Sequence, residues 1–290
     1  FELDGRNQMP TRIAGTTFVG HVTNESVGNA AIYGDCGPKD FRIDHCKFVD
    51  FAGKAIQIWN NPGPLGANRG VIDHCEFDNP YKDDPNVIGS EAGGRKIWGY
   101  GIIIIGTYHN WEDDINKLLG HYDDINNVVY IEDCNFSRTR HAVASNGGGF
   151  YVVRYCKFIE PRPEHFGMID VHGASGPTGV GGRGLEAYNN EFIGCEYAWP
   201  EPTGTWHSIA FGLRGGGGVV FNNTITDCEW GISLSEDPGM QEKCKIKDLW
   251  IWNNEMVSES APSSGTLIKN PGGFTEDEDY FLYEKSGYSP

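Results

Sequence analysis

Apolar and polar positions alternate in short runs that return along the whole chain, and the runs are of two kinds. One reads Phe41-Arg-Ile-Asp-His-Cys46-Lys-Phe48, then Gly70-Val-Ile-Asp-His-Cys75-Glu-Phe77. Tyr130-Ile-Glu-Asp-Cys134-Asn-Phe136 and Val152-Val-Arg-Tyr-Cys156-Lys-Phe158 follow. Asparagine replaces cysteine in Leu185-Glu-Ala-Tyr-Asn-Asn190-Glu-Phe192, Val220-Phe-Asn-Asn223-Thr-Ile225 and Ile251-Trp-Asn-Asn254-Glu-Met256, and Arg12-Ile-Ala-Gly-Thr16-Thr-Phe18 is a degenerate copy. Cys46 to Asn254 are spaced by 29, 59, 22, 34, 33 and 31 residues. The second kind follows each copy as an alternating strand: Ala55-Ile-Gln-Ile-Trp59, Gly101-Ile-Ile-Ile-Ile105, His141-Ala-Val-Ala-Ser145, Met168-Ile-Asp-Val-His172, Ser208-Ile-Ala-Phe211 and Gly231-Ile-Ser-Leu-Ser235. Period-2 alternation inside a period of about 30 residues predicts short strands stacked coil upon coil, each burying the apolar side of its neighbour.

Composition sharpens this reading. Forty glycines and 15 prolines in 290 residues, without a collagen period, point to many tight turns and an all-β chain. The 23 basic and 40 acidic residues leave a formal charge of −17, which repels a phosphate backbone and argues against nucleic acid as a partner. No apolar run approaches the roughly 18 residues of a membrane span; the longest conspicuous one is Ile102–Ile105. The opening Phe1-Glu-Leu-Asp shows no basic head or apolar stretch of a signal peptide, and a chain cut from inside a longer protein would open the same way. The eight cysteines form no CxxC pair, which argues against a zinc knuckle or a thioredoxin-like site. The four that share one place in the repeat are expected as a stack of buried free thiols, with disulfide pairing and a metal stack as alternatives.

From about residue 10 to 270 the chain resembles the right-handed parallel β-helix proteins of the pectate-lyase-like superfamily, on its "I-x-x-N/C-x-F" phrase and the "G-I-x-I" strand that follows. The resemblance implies an all-β, single-domain right-handed parallel β-helix of about seven or eight coils, with an internal ladder at a turn. Asn190, Asn223 and Asn254 match that ladder, and Cys46, Cys75, Cys134 and Cys156 take its place in the first half. The expected organisation is a β-helix over 1–270, interrupted by insertions at 78–98 and 107–127, and a tail at 271–290 that packs on or caps the last coil. Long excursions from a solenoid often wall a binding groove. Ile-Asp-His-Cys at 43–46 and 72–75 is similar to the "I-D-H" phrase of pectate lyases. Phe166-Gly-Met-Ile-Asp170 is similar to their calcium-binding "D-G-L-I-D", so the resemblance implies calcium at Asp170, although Phe166 stands in place of the first acid. No segment matches the family's catalytic arginine, which argues against calcium-dependent pectate lyase activity and leaves open a lyase with another base.

Alternation predicts inward pairs Ile56/Ile58, Ile102/Ile104, Ala142/Ala144, Ile169/Val171, Ile209/Phe211 and Ile232/Leu234. Gln57, Ile103, Val143, Asp170, Ala210 and Ser233 then face outward, with His141, Ser145 and His172. His141, Asp170 and His172 are expected as one solvent-facing patch on consecutive coils, with Arg140 at its edge; such a patch can transfer protons or hold a cation. β-Elimination on a uronic acid needs a neutralised carboxylate, a base for the C5 proton and an acid for the leaving oxygen. Arg140 or Arg154 can neutralise, and His141 or His172 can be the base. A hydrolase needs two carboxylates, and Asp170 is the one acid on the expected outward face, with Glu236-Asp237 past a later strand. Gln57, Trp59, Ser145, Trp206 and Arg214 are the expected substrate contacts. The sequence therefore reads as a monomeric, extracellular or cell-surface polysaccharide-active protein: a lyase on an acidic glycan first, a glycoside hydrolase second. A non-catalytic carbohydrate-binding or structural module built on its eight tryptophans is the alternative.

Overall fold

Each copy of the first phrase folds as two strands joined through one left-handed residue. Lys39–Asp44 passes through His45, φ 53°, into Lys47–Val49, and Arg69–Asp73 passes through His74, φ 52°, into Glu76–Asp78. Asp133, Tyr155, Asn189, Asn222 and Asn253 hold the same conformation in later copies, with φ between 50° and 58°. Asn, Asp and His are the non-glycine residues that best tolerate this region, so the turn is written into the phrase; Tyr155 is the exception.

The computed structural model describes residues 1–4, 10–20, 30–35, 38–51, 53–59, 68–79, 99–106, 128–159, 167–173, 181–194, 208–237, 244–257 and 266–283. Their strands form three parallel sheets of nine, nine and eight, each sheet taking every third strand of the chain. The result is a right-handed parallel β-helix, the hand that parallel crossovers adopt. Eight coils carry three described strands and a ninth carries two, slightly more than the repeat count suggests. Beyond residue 270, Tyr280–Tyr283 pairs in parallel with Ile246–Trp252 and lengthens the second sheet. Asp78 ends a strand and Asn79 is buried, while 80–98, all of 107–127, and Trp206 lie outside the described residues. No described helix is long and apolar enough to cross a membrane.

The core is a set of columns. Phe18, Phe48, Phe77, Phe136, Phe158 and Phe192 stack on the third sheet with centroids 4.5–5.1 Å apart. Beside them runs the ladder. The Cys75 N–H donates to Cys134 Sγ, Cys134 N–H to Cys156 Sγ, Cys156 N–H to Asn190 Oδ1, Asn190 N–H to Asn223 Oδ1 and Asn223 N–H to Asn254 Oδ1. Each rung also donates backwards: Asn190 and Asn223 amides to Val153 and Ala187 carbonyls at 3.1 and 3.0 Å, the Cys134 and Cys156 thiols to Ile72 and Ile131 carbonyls at 3.7 and 3.6 Å. Thiol and amide thus do one job, a donor and an acceptor at a turn whose backbone would otherwise be orphaned. Cys46, Cys75, Cys134 and Cys156 are buried free thiols, and Cys228 and Cys244 are buried as well.

On the first sheet the inward rows are Ile56, Ile102, Val143, Ile169, Phe211, Ile232 and Ile58, Ile104, Ser145, Val171, Leu213, Leu234. This corrects the expectation at two coils: Val143 and Ser145 face the core with Ala144 outward beside Ile103 and Asp170, and Ala210 packs in the core while Gly212 takes the outer row. The N–H groups of both Ala142 and Val143 donate to Met168 O, at 2.8 and 3.2 Å, so the backbone is irregular where the strand begins. Ala142 and Val143 both pack in the core, as Ala55 and Ile56 or Met168 and Ile169 do in other coils, so His141 before them stands outside strict alternation.

Candidate functional site

The outer row of the first sheet runs Gln57, Ile103, Ala144, Asp170, Gly212, Ser233. Asp170 lies in the strand Ile169–Val171, and its backbone carbonyl accepts the hydroxyl of the core residue Tyr151 at 3.1 Å, which pins the strand from inside. Two residues further, His172 and Arg214 leave their strands side by side in consecutive coils, because Val171 pairs with Leu213. Gly212, the in-register neighbour of Asp170, leaves no room for a side chain: a Cβ there would meet Gly167 N at 2.8 Å and Asp170 Oδ1 at 3.4 Å.

The Asp170 carboxylate is fully buried and held from two sides. Arg214 Nε donates to Oδ1 at 3.1 Å and Nη2 to Oδ2 at 2.9 Å, and His172 Nδ1 contacts Oδ2. Burial opposes ionisation, but Arg214, His172 and His141 outweigh it and hold the carboxyl far below the usual range. Burial likewise opposes charge on Arg214, and Asp170 and Asp237 overcome it. Arg214 Nη1 reaches Asp237 at 3.2 and 3.4 Å, so one guanidinium joins two carboxylates.

An ionised carboxylate only accepts, so in the neutral form of His172 the proton sits on Nδ1 and Nε2 carries a lone pair. The Tyr100 hydroxyl donates to that Nε2 at 3.3 Å. His141 donates Nδ1–H to Gly167 O at 2.7 Å and lies 5.0 Å from the Tyr100 ring and 5.6 Å from the His172 ring. Burial first, then His172, Arg140 and Arg214, push His141 down to about 3 against the pull of Asp170, so it is a neutral imidazole. The side chains of His172 and Arg214 are each 14% exposed, whereas His141 is 1% exposed, so the cluster meets solvent through the former two.

No family model matches the chain, and no curated protein matches it. Among solved structures the chain is similar to the tailspike protein of E. coli bacteriophage HK620, determined in complex with a pentasaccharide, at 15% identity and a TM-score of 0.43. The match covers 96% of this chain and 51% of that one, so the chain spans about half the length of the tailspike.

His141, Asp170 and His172 are therefore brought together, but as a largely buried cluster and not as the open patch that alternation suggested. One ligand atom from each lies within 4.8 Å of the others. Two imidazole nitrogens and one carboxylate are a poor calcium set, and Arg214 already occupies both Asp170 oxygens. Arg140 sits at the edge, close enough for its charge to act on His141. Arg214 moves from expected substrate contact to the centre. Arg154 is misplaced: it lies on the second sheet, donating Nε to Glu132 at 2.7 Å and Nη1 to the Tyr188 hydroxyl at 2.7 Å. Ser145 is excluded as a substrate contact because it is buried in an inward row. Gln57 and Trp59 stay on the outer side three strands from Asp170, Gln57 buried and Trp59 packed against the Tyr100, Ile103, Ile105 and Ala144 cluster. Sequence reasoning missed Tyr100, whose only signal is an aromatic hydroxyl at the head of an apolar strand.

Proposed function

We propose that the protein is a polysaccharide-active β-helix, and specifically a lyase that cleaves an acidic glycan by β-elimination on the outer side of its first sheet. The observation that carries this reading is the chain of contacts Arg214–Asp170–His172–Tyr100. With Arg140 at its edge, it supplies the groups that elimination from a uronate requires. Arg140, at the edge of the cluster, offers the positive charge for the substrate carboxylate, drawing electron density from C5 as the proton leaves, while Arg214, matched by Asp170 and Asp237, holds the Asp170 carboxylate in place. His172 Nε2, oriented by Asp170 on the opposite ring nitrogen, takes the C5 proton. The electron pair forms the C4–C5 double bond, the C4–O bond breaks, and the Tyr100 hydroxyl gives its proton to the departing oxygen. Arg140 sets a local positive charge against the −17 of the whole chain where the substrate would sit. A polymer substrate places the protein outside the cell or at its surface.

A glycoside hydrolase fits less well. Its acid must stay protonated near neutral pH, and the buried Asp170 is held ionised by two partners. The deciding experiment incubates the protein with a panel of uronic-acid polymers and follows the ultraviolet absorbance of unsaturated ends alongside reducing ends. Both signals rising together support elimination. Reducing ends alone would mean hydrolysis, and binding with neither signal would mean a carbohydrate-binding module.

A further inference from the structure

The two copies of Ile-Asp-His-Cys put the same residues at the same turn of consecutive coils, away from the first sheet. Asp44 pairs with Asp73 on the second sheet, and His45 and His74 follow them at φ 53° and 52°. Each carboxylate is buried and takes two guanidinium hydrogen bonds from the preceding coil: Arg12 to Asp44 at 2.7 Å twice, Arg42 to Asp73 at 2.9 and 2.7 Å. Each also takes an imidazole, with His45 Nδ1 at 3.0 Å from Asp44 and His74 Nδ1 at 2.9 Å from Asp73. Arg12 above all, with His45 and Arg42 and against burial, holds the Asp44 carboxyl well below its usual range.

Carboxylates that only accept put the histidine proton on Nδ1 and leave a lone pair on each Nε2. The two rings lie parallel within 4°, centroids 5.0 Å apart, with side chains 62% and 52% exposed. A carboxylate on one ring nitrogen and an open lone pair on the other is how proteins prepare an imidazole for a metal. We propose that His45 and His74 form a surface site for a late first-row divalent ion, nickel, copper or zinc, held through their two Nε2 atoms. A pivot of each exposed ring about its Nδ1 contact turns the lone pairs onto one ion about 2.0–2.1 Å from each. Nitrogen donors favour these ions over calcium and magnesium. Arg12 and Arg42 do not oppose the ion, because Asp44 and Asp73 match them charge for charge. The next coil carries Asp133 at this turn and the one after it Tyr155, so the imidazole pair is confined to two coils, which the ion would clip together.

The test is a titration of the whole chain with nickel chloride by calorimetry, at neutral pH and at about pH 5, where free imidazoles are protonated. His45→Asn and His74→Asn suit it because asparagine already occupies this turn at 189, 222 and 253, so the fold tolerates it. His172→Gln removes an imidazole of the first-sheet cluster as a control. One ion per chain is expected at neutral pH. Binding should weaken at least tenfold in either asparagine variant and at about pH 5, and should be unchanged in His172→Gln. Saturating nickel should raise the thermal midpoint of the parent chain and not of the double variant. Equal affinity in the parent chain and the double asparagine variant, or a loss that follows His172→Gln instead, would overturn the proposal.

Discussion

His141 shows how much a single residue's surroundings decide. Its imidazole is shut among Tyr100, Asp170, His172, Arg140 and Arg214, and burial before anything else pushes it from 6.5 down to about 3. Between those values the unfolded chain holds a proton that the folded chain refuses, so folding stability falls as pH drops through that window. Asp170 adds a loss of its own only below the 3.8 of a free carboxyl, so the range between about pH 4 and 6 isolates the histidine. His141→Asn keeps a donor at the δ position for Gly167 O and removes the titration. Chemical denaturation across that range should show the slope reduced by about 1.4 kcal/mol per pH unit relative to the parent. Tyr100→Phe acts on the reaction instead: it removes the proposed acid while leaving the ring in place, so turnover of a uronate polymer should fall about a hundredfold or more with binding retained. Ser145→Ala should do neither. The Ser145 hydroxyl is buried with no hydrogen-bond partner among the described residues, so its removal should be neutral or stabilising by up to about 1 kcal/mol, with unchanged activity.

At the scale of the coil, the ladder fixes the turns and was the part of the fold most legible in the sequence. One position is cysteine in four successive copies and asparagine in the next three because both side chains can accept from the coil before and donate to it. The strand at Ala142–Ser145 was legible only as a strand: Ala-Val-Ala-Ser has too little polar contrast to show its phase, and phase is what buries Ser145 and turns Ala144 out. Asp170, His172 and His141 could be grouped because they sit at like positions of neighbouring repeats. Arg214 could be placed from the same register, two residues past the partner of Asp170, whereas Tyr100 reaches His172 across an intervening strand, a contact that no pairing rule foretells. The ladder itself can be tested at Asn223, whose Oδ1 accepts from Asn190 N–H and whose amide donates to Ala187 O. Asn223→Ala orphans both buried groups and should cost about 2–4 kcal/mol in a denaturant series. Asn223→Cys, which copies the arrangement at Cys156, should cost clearly less. Equal losses would mean that the thiols fill space without serving as rungs.

Across the whole molecule, each coil pairs its strands only with its neighbours', since each sheet is built from every third strand and each column runs the length of the helix; Tyr100 to His172 is a side-chain contact that skips one coil. Stability in such an array is close to a sum over neighbouring pairs, and opening starts where a coil has one neighbour fewer. The cluster around Asp170 draws on Tyr100, His141, His172 and Arg214 from four consecutive coils in the middle of the stack, the part that frays last. The buried thiols report this order without any added probe. Cys46 stands in the second coil, under the partly exposed strand Thr11–Ala14, whereas Cys134 stands in the fourth with covered coils on both sides. Burial above all raises both thiols, so neither reacts while its coil is closed. Brief exposure to a thiol reagent at denaturant concentrations below the unfolding midpoint, followed by peptide mapping, should therefore modify Cys46 at least tenfold faster than Cys134. The same rate at both would show that the helix opens as one block, and the coupling between coils would then be stronger than nearest-neighbour stacking supplies.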